Sequence, residues 1–209
     1  QSRLATNITN GIIHAFKEYD ASEIIMGLHE KKTDGDKFWG IFTPDLVNQL
    51  NRQIILCRCN RPLNTLRRIV VAVPSRVEFE QGFYRWIERL ARLAENLSCR
   101  IIFHGRIEST SLINEYIRNQ HPGVRAEYVL MEHWKEFTQL AQQMSSDHML
   151  VVISARQGTV SYKPVFERLP LELYRHYHEH NLMVVFPDQN GQSPEDMTFT
   201  APQHHSVDS

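Results

Sequence analysis

From Arg67 onward, apolar positions alternate between two periods. Arg67 to Val73 (RRIVVAV) is a short β-branched run stopped by Pro74, with no helical period, and predicts a strand. Phe79, Phe83, Trp86, Ile87, Leu90, Leu93, Ala94 and Leu97 then recur at spacings of three and four, along one face of a helix. Arg100 to His104 (RIIFH) predicts a second strand, and Leu112 to Arg118 lies in a second helix ended by His121-Pro122-Gly123. Ala126 to Met131 reads as a third strand, and Trp134, Phe137, Leu140, Ala141 and Met144 mark a third helix. His148 to Ser154 (HMLVVIS) is the most apolar strand, and so continuous a run suits a parallel strand covered on both faces. A polar loop leads to a helix carrying Leu169, Leu173 and Tyr177, and Leu182 to Phe186 (LMVVF) is a fifth strand.

Strand and helix thus alternate five times between Arg67 and Phe186. Helical crossovers impose parallel pairing, because a parallel connection needs a dozen or more residues. The fold class expected is α/β, an open doubly wound parallel sheet.

The chain ahead of this, 1–65, repeats the later half of the pattern. Ile8, Ile12, Ala15, Phe16 and Tyr19 form a helix face, and Glu23 to Leu28 a strand followed by a polar loop. Trp39 to Gln53 holds a helix with Thr43-Pro44 as cap and first turn, and Ile54 to Cys59 is the next strand. Ile24, Ile25 and Met26 fall on Val151, Val152 and Ile153 when the numbering is offset by 127 (151 − 24), as do Trp39 on Phe166 and Leu46 on Leu173. Ile55-Leu56 falls on Leu182-Met183 at the same offset, so no gap is needed over some 35 positions. The expected organisation is the C-terminal half of a first domain in residues 1–65, a complete second domain in 66–190 and a polar tail in 191–209. The second copy opens at Arg67, so a whole first copy would open at −60 (67 − 127), and a fragment of a longer protein is expected. Two parallel strands and two helices leave a sheet edge and one layer uncovered, so the half needs either the second domain or another chain, and a homodimer is expected.

Charge and composition narrow the partners. With 23 basic and 24 acidic residues the net charge is −1, without the basic excess of a dedicated nucleic-acid binder, and none is expected as partner. No stretch reaches the ~18 apolar residues of a membrane span. Cys57, Cys59 and Cys99 lack framework spacing and point to a reducing compartment, with Cys57 and Cys59 as core or half-buried side chains. The run Arg175-His176-Tyr177-His178-Glu179-His180 has only His176 and His180 at the i, i+4 spacing of helical metal ligands; solvated histidines are expected and no metal. His204 and His205 belong to the polar tail. Without a nucleophile elbow, HExxH, Walker lysine or G-x-G-x-x-G after a strand, no enzymatic activity is expected.

An open parallel sheet binds ligands at the carboxyl ends of its strands, near the reversal of strand order. The loops concerned are Gly27–Gly40, Ser154–Glu167 and the turn Pro74-Ser75-Arg76. Phosphate needs glycines for close backbone approach and free N–H groups at a helix start. Gly27 and Gly40 fit the two ends of such a loop, whereas Ser154 and Glu167 stand at the corresponding places of the second loop. There Ser154, Arg156 and Gly158 are the polar candidates, with Arg156 able to meet a phosphate or carboxylate in place of the missing glycines.

This order of elements, with its long loop after the fourth strand, resembles the universal stress protein domain. ATP-binding members carry Gly-x2-Gly-x9-Gly-Ser/Thr in that loop and an aspartate ending the first strand. Here Gly27 and Gly40 match the outer glycines, while Glu30 and Ile41 replace the middle glycine and the hydroxyl residue. In the second copy Ser154, Gln157, Glu167 and Arg168 replace all four, and Pro74 stands for the aspartate. The resemblance leaves ATP open at the first loop and otherwise implies no cofactor. The stretches ASEIIMGLHEK, PLNTLRRIVVAVP and HMLVVISARQGTVSYKPVFERLP resemble, more narrowly, the cytoplasmic C-terminal tail of bacterial sodium/proton (monovalent cation/proton) antiporters, over most of residues 5–190. That resemblance implies a non-catalytic regulatory or assembly module at the cytoplasmic face of the inner membrane. Its partner would be an upstream transmembrane transporter domain of the same polypeptide, because nothing here matches an antiporter's buried aspartate. A soluble stress protein binding a nucleotide or related metabolite is the alternative.

Overall fold

The computed structural model of the chain describes residues 8–28 and 43–190. Seven strands form one sheet: β1 (Glu23–Gly27), β2 (Gln53–Arg58), β3 (Arg68–Ala72), β4 (Arg100–Gly105), β5 (Ala126–Leu130), β6 (His148–Ile153) and β7 (Asn181–Phe186). Their order is β1-β2-β7-β6-β3-β4-β5. Five of the six pairings are parallel, as the helical crossovers require. The sixth, β2 with β7, is antiparallel and opposes Leu56 to Val184 and Cys57 to Met183. It joins the early strand pair to the later five, a junction that periodicity does not reveal.

The helices are α1 (Ile8–Glu18), α2 (Thr43–Gln49), α3 (Phe83–Asn96), α4 (Ile107–Gln120), α5 (Phe137–Leu140) and α6 (Leu169–Tyr177). On one face of the sheet, Ile54, Leu56, Val70, Leu150, Val152 and Val184 pack with Phe16 of α1, Leu46 of α2, Phe137 of α5 and Leu173 of α6. On the other, Ile55, Ile69, Val71, Val151 and Val185 pack with Trp86 and Leu90 of α3 and Ile113 of α4. Successive strand residues point to opposite faces, so β6, covered twice, is buried at every position.

Two expected helices differ. Phe79 is 68% exposed in a tight turn, Val77–Phe79, ahead of α3. Left-handed Arg76 (φ 69°) sets that turn, and a Cβ at Gly82 would run into the backbone of Asp188, so the chain must bend before α3 begins. The Trp134–Met144 segment forms α5 flanked by single 3-10 turns, although Phe137 and Leu140 are buried as its spacing requires. The gapless repeat is also corrected. In β1 and β2 the paired Glu23 and Gln53 differ in number by 30 (53 − 23), whereas Met149 and Asn181 of β6 and β7 differ by 32 (181 − 149). Side chains keep their faces at an offset of 126 for β1 on β6 (150 − 24) and 128 for β2 on β7 (184 − 56), whereas 127 sets Ile24 on Val151 and Ile55 on Leu182, residues of opposite cores.

The halves are stapled by buried cations. Arg156 is 7% exposed and donates from Nε to Val47 O (3.0 Å), from Nη2 to Arg52 O (2.5 Å) and from Nη1 to Pro187 O. Burial draws its pKa down to about 10 against the pull of Asp188 and Glu80, so it remains a cation at neutral pH. Arg58 donates to Tyr177 O (2.7 Å), and Asn181 exchanges hydrogen bonds with the backbone of Arg61 (2.8 and 3.0 Å). Replacing Arg156 by Met would strand three carbonyls and lower the unfolding free energy by about 3 kcal/mol. The control Arg118→Met, at an exposed site, should be neutral. Urea denaturation of the two variants checks this, and equal midpoints would refute the staple.

Candidate functional site

Within the later five strands the order reverses between β6 and β3, and the crevice at their carboxyl ends is where a doubly wound sheet holds a ligand. Its walls are the turn after β3, Val73 to Gly82, and the loop after β6, Ser154 to Lys163. Of the six residues singled out from sequence, Glu30 and Gly40 lie outside the described residues. Gly27 ends β1 and is exposed. Ser154, 2% exposed, donates its main-chain N–H to Val185 O at 2.8 Å. Gly158 has φ +89°, a left-handed conformation that favours glycine, and a Cβ there would meet nothing within 4 Å. Ser154, Arg156 and Gly158 thus share one loop without converging, since Arg156 spends its fork on the carbonyls of the joint.

What fills the crevice is Glu80, which sequence reasoning passed over. This residue, 6% exposed, enters from the turn after β3 and accepts from Ser161 N (2.9 Å) and Ser161 Oγ (2.6 Å) on the opposite wall. Its other oxygen accepts from Gln189 Nε2 at 2.9 Å. Burial alone would raise this carboxyl, but the hydrogen bonds from Ser161, Gln189 and Thr159 outweigh it and hold Glu80 below the usual carboxylate range. A charged carboxylate at this point repels phosphate. Alongside, Asp188 pairs with Arg85 at 2.7 Å, and Arg85 also donates to Ser22 O at 3.0 Å. No motif announces Glu80: it sits in the mixed turn VEFEQG, and only the chain's return past Asp188 brings Gln189 to it.

Among the described residues, two clefts stand out. The smaller, about 180 Å³, lies between α2 and the loop after β6 and is lined by Pro44, Val47, Ser154, Tyr162, Phe166 and Glu167. It falls short of the ~300 Å³ at which small-molecule pockets begin. Tyr162 OH donates to Glu167 there at 3.0 Å, keeping a second carboxylate at the rim. The larger, about 400 Å³, opens where α3 overhangs the α3 side of β1, β2 and β7, against Ile25, Ile55, Trp86, Leu90, Leu93 and Met183. Glu23 closes one end, accepting from Gln53 Nε2 (2.9 Å) and pairing with Arg89 (2.9 Å). Ile25 is 64% exposed in this cleft, and no strand pairs with the outer edge of β1 among the described residues.

The cysteines and the histidine run lie away from the crevice. Cys57 lines the larger cleft, and burial, helped by Cys59, raises its thiol to about 11, so it is protonated and unreactive. Cys59 is exposed just beyond β2. His176 and Glu172 stand 3.4 Å apart one turn along α6, and His178 lies 3.8 Å from its neighbour Glu179. Among the described residues no group of three or more His, Cys, Asp or Glu is placed to hold a metal. Burial lowers the pKa of His180, as it does for His104 and His148.

No family model matches the sequence, and no curated protein matches it. Solved structures do match in fold. A universal stress protein from Archaeoglobus fulgidus DSM 4304 has a TM-score of 0.58 at 13% identity, over 88% of this chain and 66% of that one, just under two thirds of its length. The cytoplasmic domain of a prokaryotic cation chloride cotransporter has a TM-score of 0.54 at 9% identity, over 88% of this chain and 71% of that one. The seven-stranded, mostly parallel sheet flanked by helices is a universal-stress-protein-like α/β fold.

Proposed function

We propose that this chain is a non-catalytic regulatory and assembly module on the cytoplasmic side of a monovalent cation/proton antiporter. The observation that carries the proposal is the uncovered flank of the early strand pair. On that flank Ile25 is 64% exposed and the outer edge of β1 is unpaired among the described residues. The equivalent strand β6 has β3 along its edge and lies in the same core as Trp86 of α3. A flank of this kind suits one half of a tandem, completed by a further strand and helix of the same polypeptide or by a second copy of the chain. The antiporter-like stretches in the sequence and the fold's likeness to a cotransporter's cytoplasmic domain supply the transporter context. No helix among the described residues is long and apolar enough to cross a membrane, so the ion path would belong to another part of the protein.

The likeness to a universal stress protein favours a second reading, a soluble protein that binds ATP or a related metabolite. Calorimetric titration with ATP separates the two. The module should give no binding heat, since Glu80 and Glu167 hold negative charge where phosphates would enter. Micromolar binding abolished by Gly40→Glu would establish the stress-protein reading instead. For the transporter reading, the full polypeptide and a form lacking residues 8–190 would be compared for cation/proton exchange in membrane vesicles. Exchange should persist in the shortened form with altered rate or pH response; unchanged exchange would exclude a regulatory role.

A further inference from the structure

The Glu80 network is built like a ligand site whose ligand is part of the chain. Three donors converge on one carboxylate, 6% exposed: the main-chain N–H and the hydroxyl of Ser161 and the amide of Gln189, with the Thr159 hydroxyl, which donates to Arg156 O at 2.9 Å, close enough to help hold its pKa down. They come from the loop after β6 and the segment after β7, while the acceptor comes from the turn after β3. The Arg156 guanidinium acts on the same carboxylate through space. A carboxylate taken out of water costs several kcal/mol unless its oxygens are met by donors, and here both are. The converse holds for the cradle. Without the carboxylate, the N–H and hydroxyl of Ser161, 1% exposed, are left aimed at an empty point.

We propose that Ser161, Thr159 and Gln189 form an oxyanion seat occupied in cis by Glu80, and that the seat accepts a free small oxyanion of the phosphate or carboxylate class once that side chain is withdrawn. The seat reaches the joint between the repeats. Gln189, which holds one Glu80 oxygen through its side chain, donates its main-chain N–H to Asn51 O at 2.8 Å. Beside it Asp188 is tied through Arg85 to Ser22. Exchange of the internal anion for a free one is therefore felt at the amino ends of both early strands. This inference is independent of the transporter reading, since every residue in it belongs to the seat or the joint.

The test is anion rescue in the whole chain. Thermal unfolding of wild type, Glu80→Ala and the double variant Glu80→Ala/Ser161→Ala is followed against sodium phosphate, sodium acetate and sodium chloride at matched ionic strength. Wild type should respond alike to the three salts, because its seat is filled. Glu80→Ala should unfold at lower temperature than wild type and recover in phosphate or acetate but not chloride, with an apparent affinity at least about tenfold above wild type's, read from the midpoint shift by mass action. The double variant should lose that recovery. Recovery of Glu80→Ala by phosphate alone assigns the seat to phosphate, and by acetate alone to carboxylates. A folded Glu80→Ala with no response beyond chloride overturns the proposal, as does recovery that survives in the double variant. Should Glu80→Ala not fold in chloride, refolding in phosphate or acetate is the readout and Glu80→Ser the second variant. Failure of both variants to respond to either anion overturns the proposal equally.

Discussion

The antiparallel contact between β2 and β7 is the constraint on which this architecture rests. Each of these strands ends a parallel pair, β1 with β2 and β6 with β7, and each has one unmatched row of N–H and C=O groups. Two like edges meeting about a two-fold perpendicular to the sheet must run in opposite directions, and they do. The same operation keeps the faces of the sheet. Hence α1 and α2 share a core with α5 and α6, while α3 and α4 stand on the opposite face without described counterparts. A single sheet results, and the early strand pair is stabilised by the late one.

At the joint the carbonyls of Val47 and Arg52 ahead of β2, of Tyr177 ahead of β7 and of Pro187 after it are brought together. Arg156 and Arg58 donate to them. A guanidinium suits the task because its planar fork presents donors in several directions from one rigid group. Desolvation lowers the pKa of Arg156 to about 10, but the charge stays on at neutral pH, with Asp188 and Glu80 in its field. On the crevice side the joint is thus a balance of buried charges, Arg156 with Asp188 and Glu80, while Arg58 holds its far end.

Much of this fold is legible in the sequence where one residue's environment is set by its neighbours. The run HMLVVI announces a doubly covered parallel strand, and Trp86, Leu90 and Ala94 announce the buried face of α3, because burial on two faces or one stripe leaves a periodic mark. Phe79 misleads for the same reason. It stands four before Phe83, as a helix would have it, but left-handed Arg76 and the crowding of Gly82 against Asp188 end the helical spacing, and that crowding is set from a distant part of the chain. The β2–β7 pairing leaves no mark at all, since Leu56 and Val184 would be apolar beside any strand. Of the polar site, Arg156 is visible as an unusual cation in the right loop, yet its partners are main-chain carbonyls and carry no residue identity. Glu80 is invisible because its donors come from two distant segments.

These two residues show how the crevice of an open α/β sheet can be filled from within. A sheet of this type gathers loop N–H groups and side-chain donors at the carboxyl ends of its strands whether or not a ligand is present, and buried donors must be met. A phosphate would meet them from outside. Glu80 meets them from within, at a fixed effective concentration and with no entropy of association, so it is stronger competition than a free anion with the same contacts. Once the anion is internal, the glycines that let a backbone close on phosphate have no further task there, and positions such as Ser154 and Glu167 are free to take other side chains. With the anion supplied by the chain itself, Arg156 gives its fork to the carbonyls of Val47 and Arg52 and so ties the early strand pair to the late one.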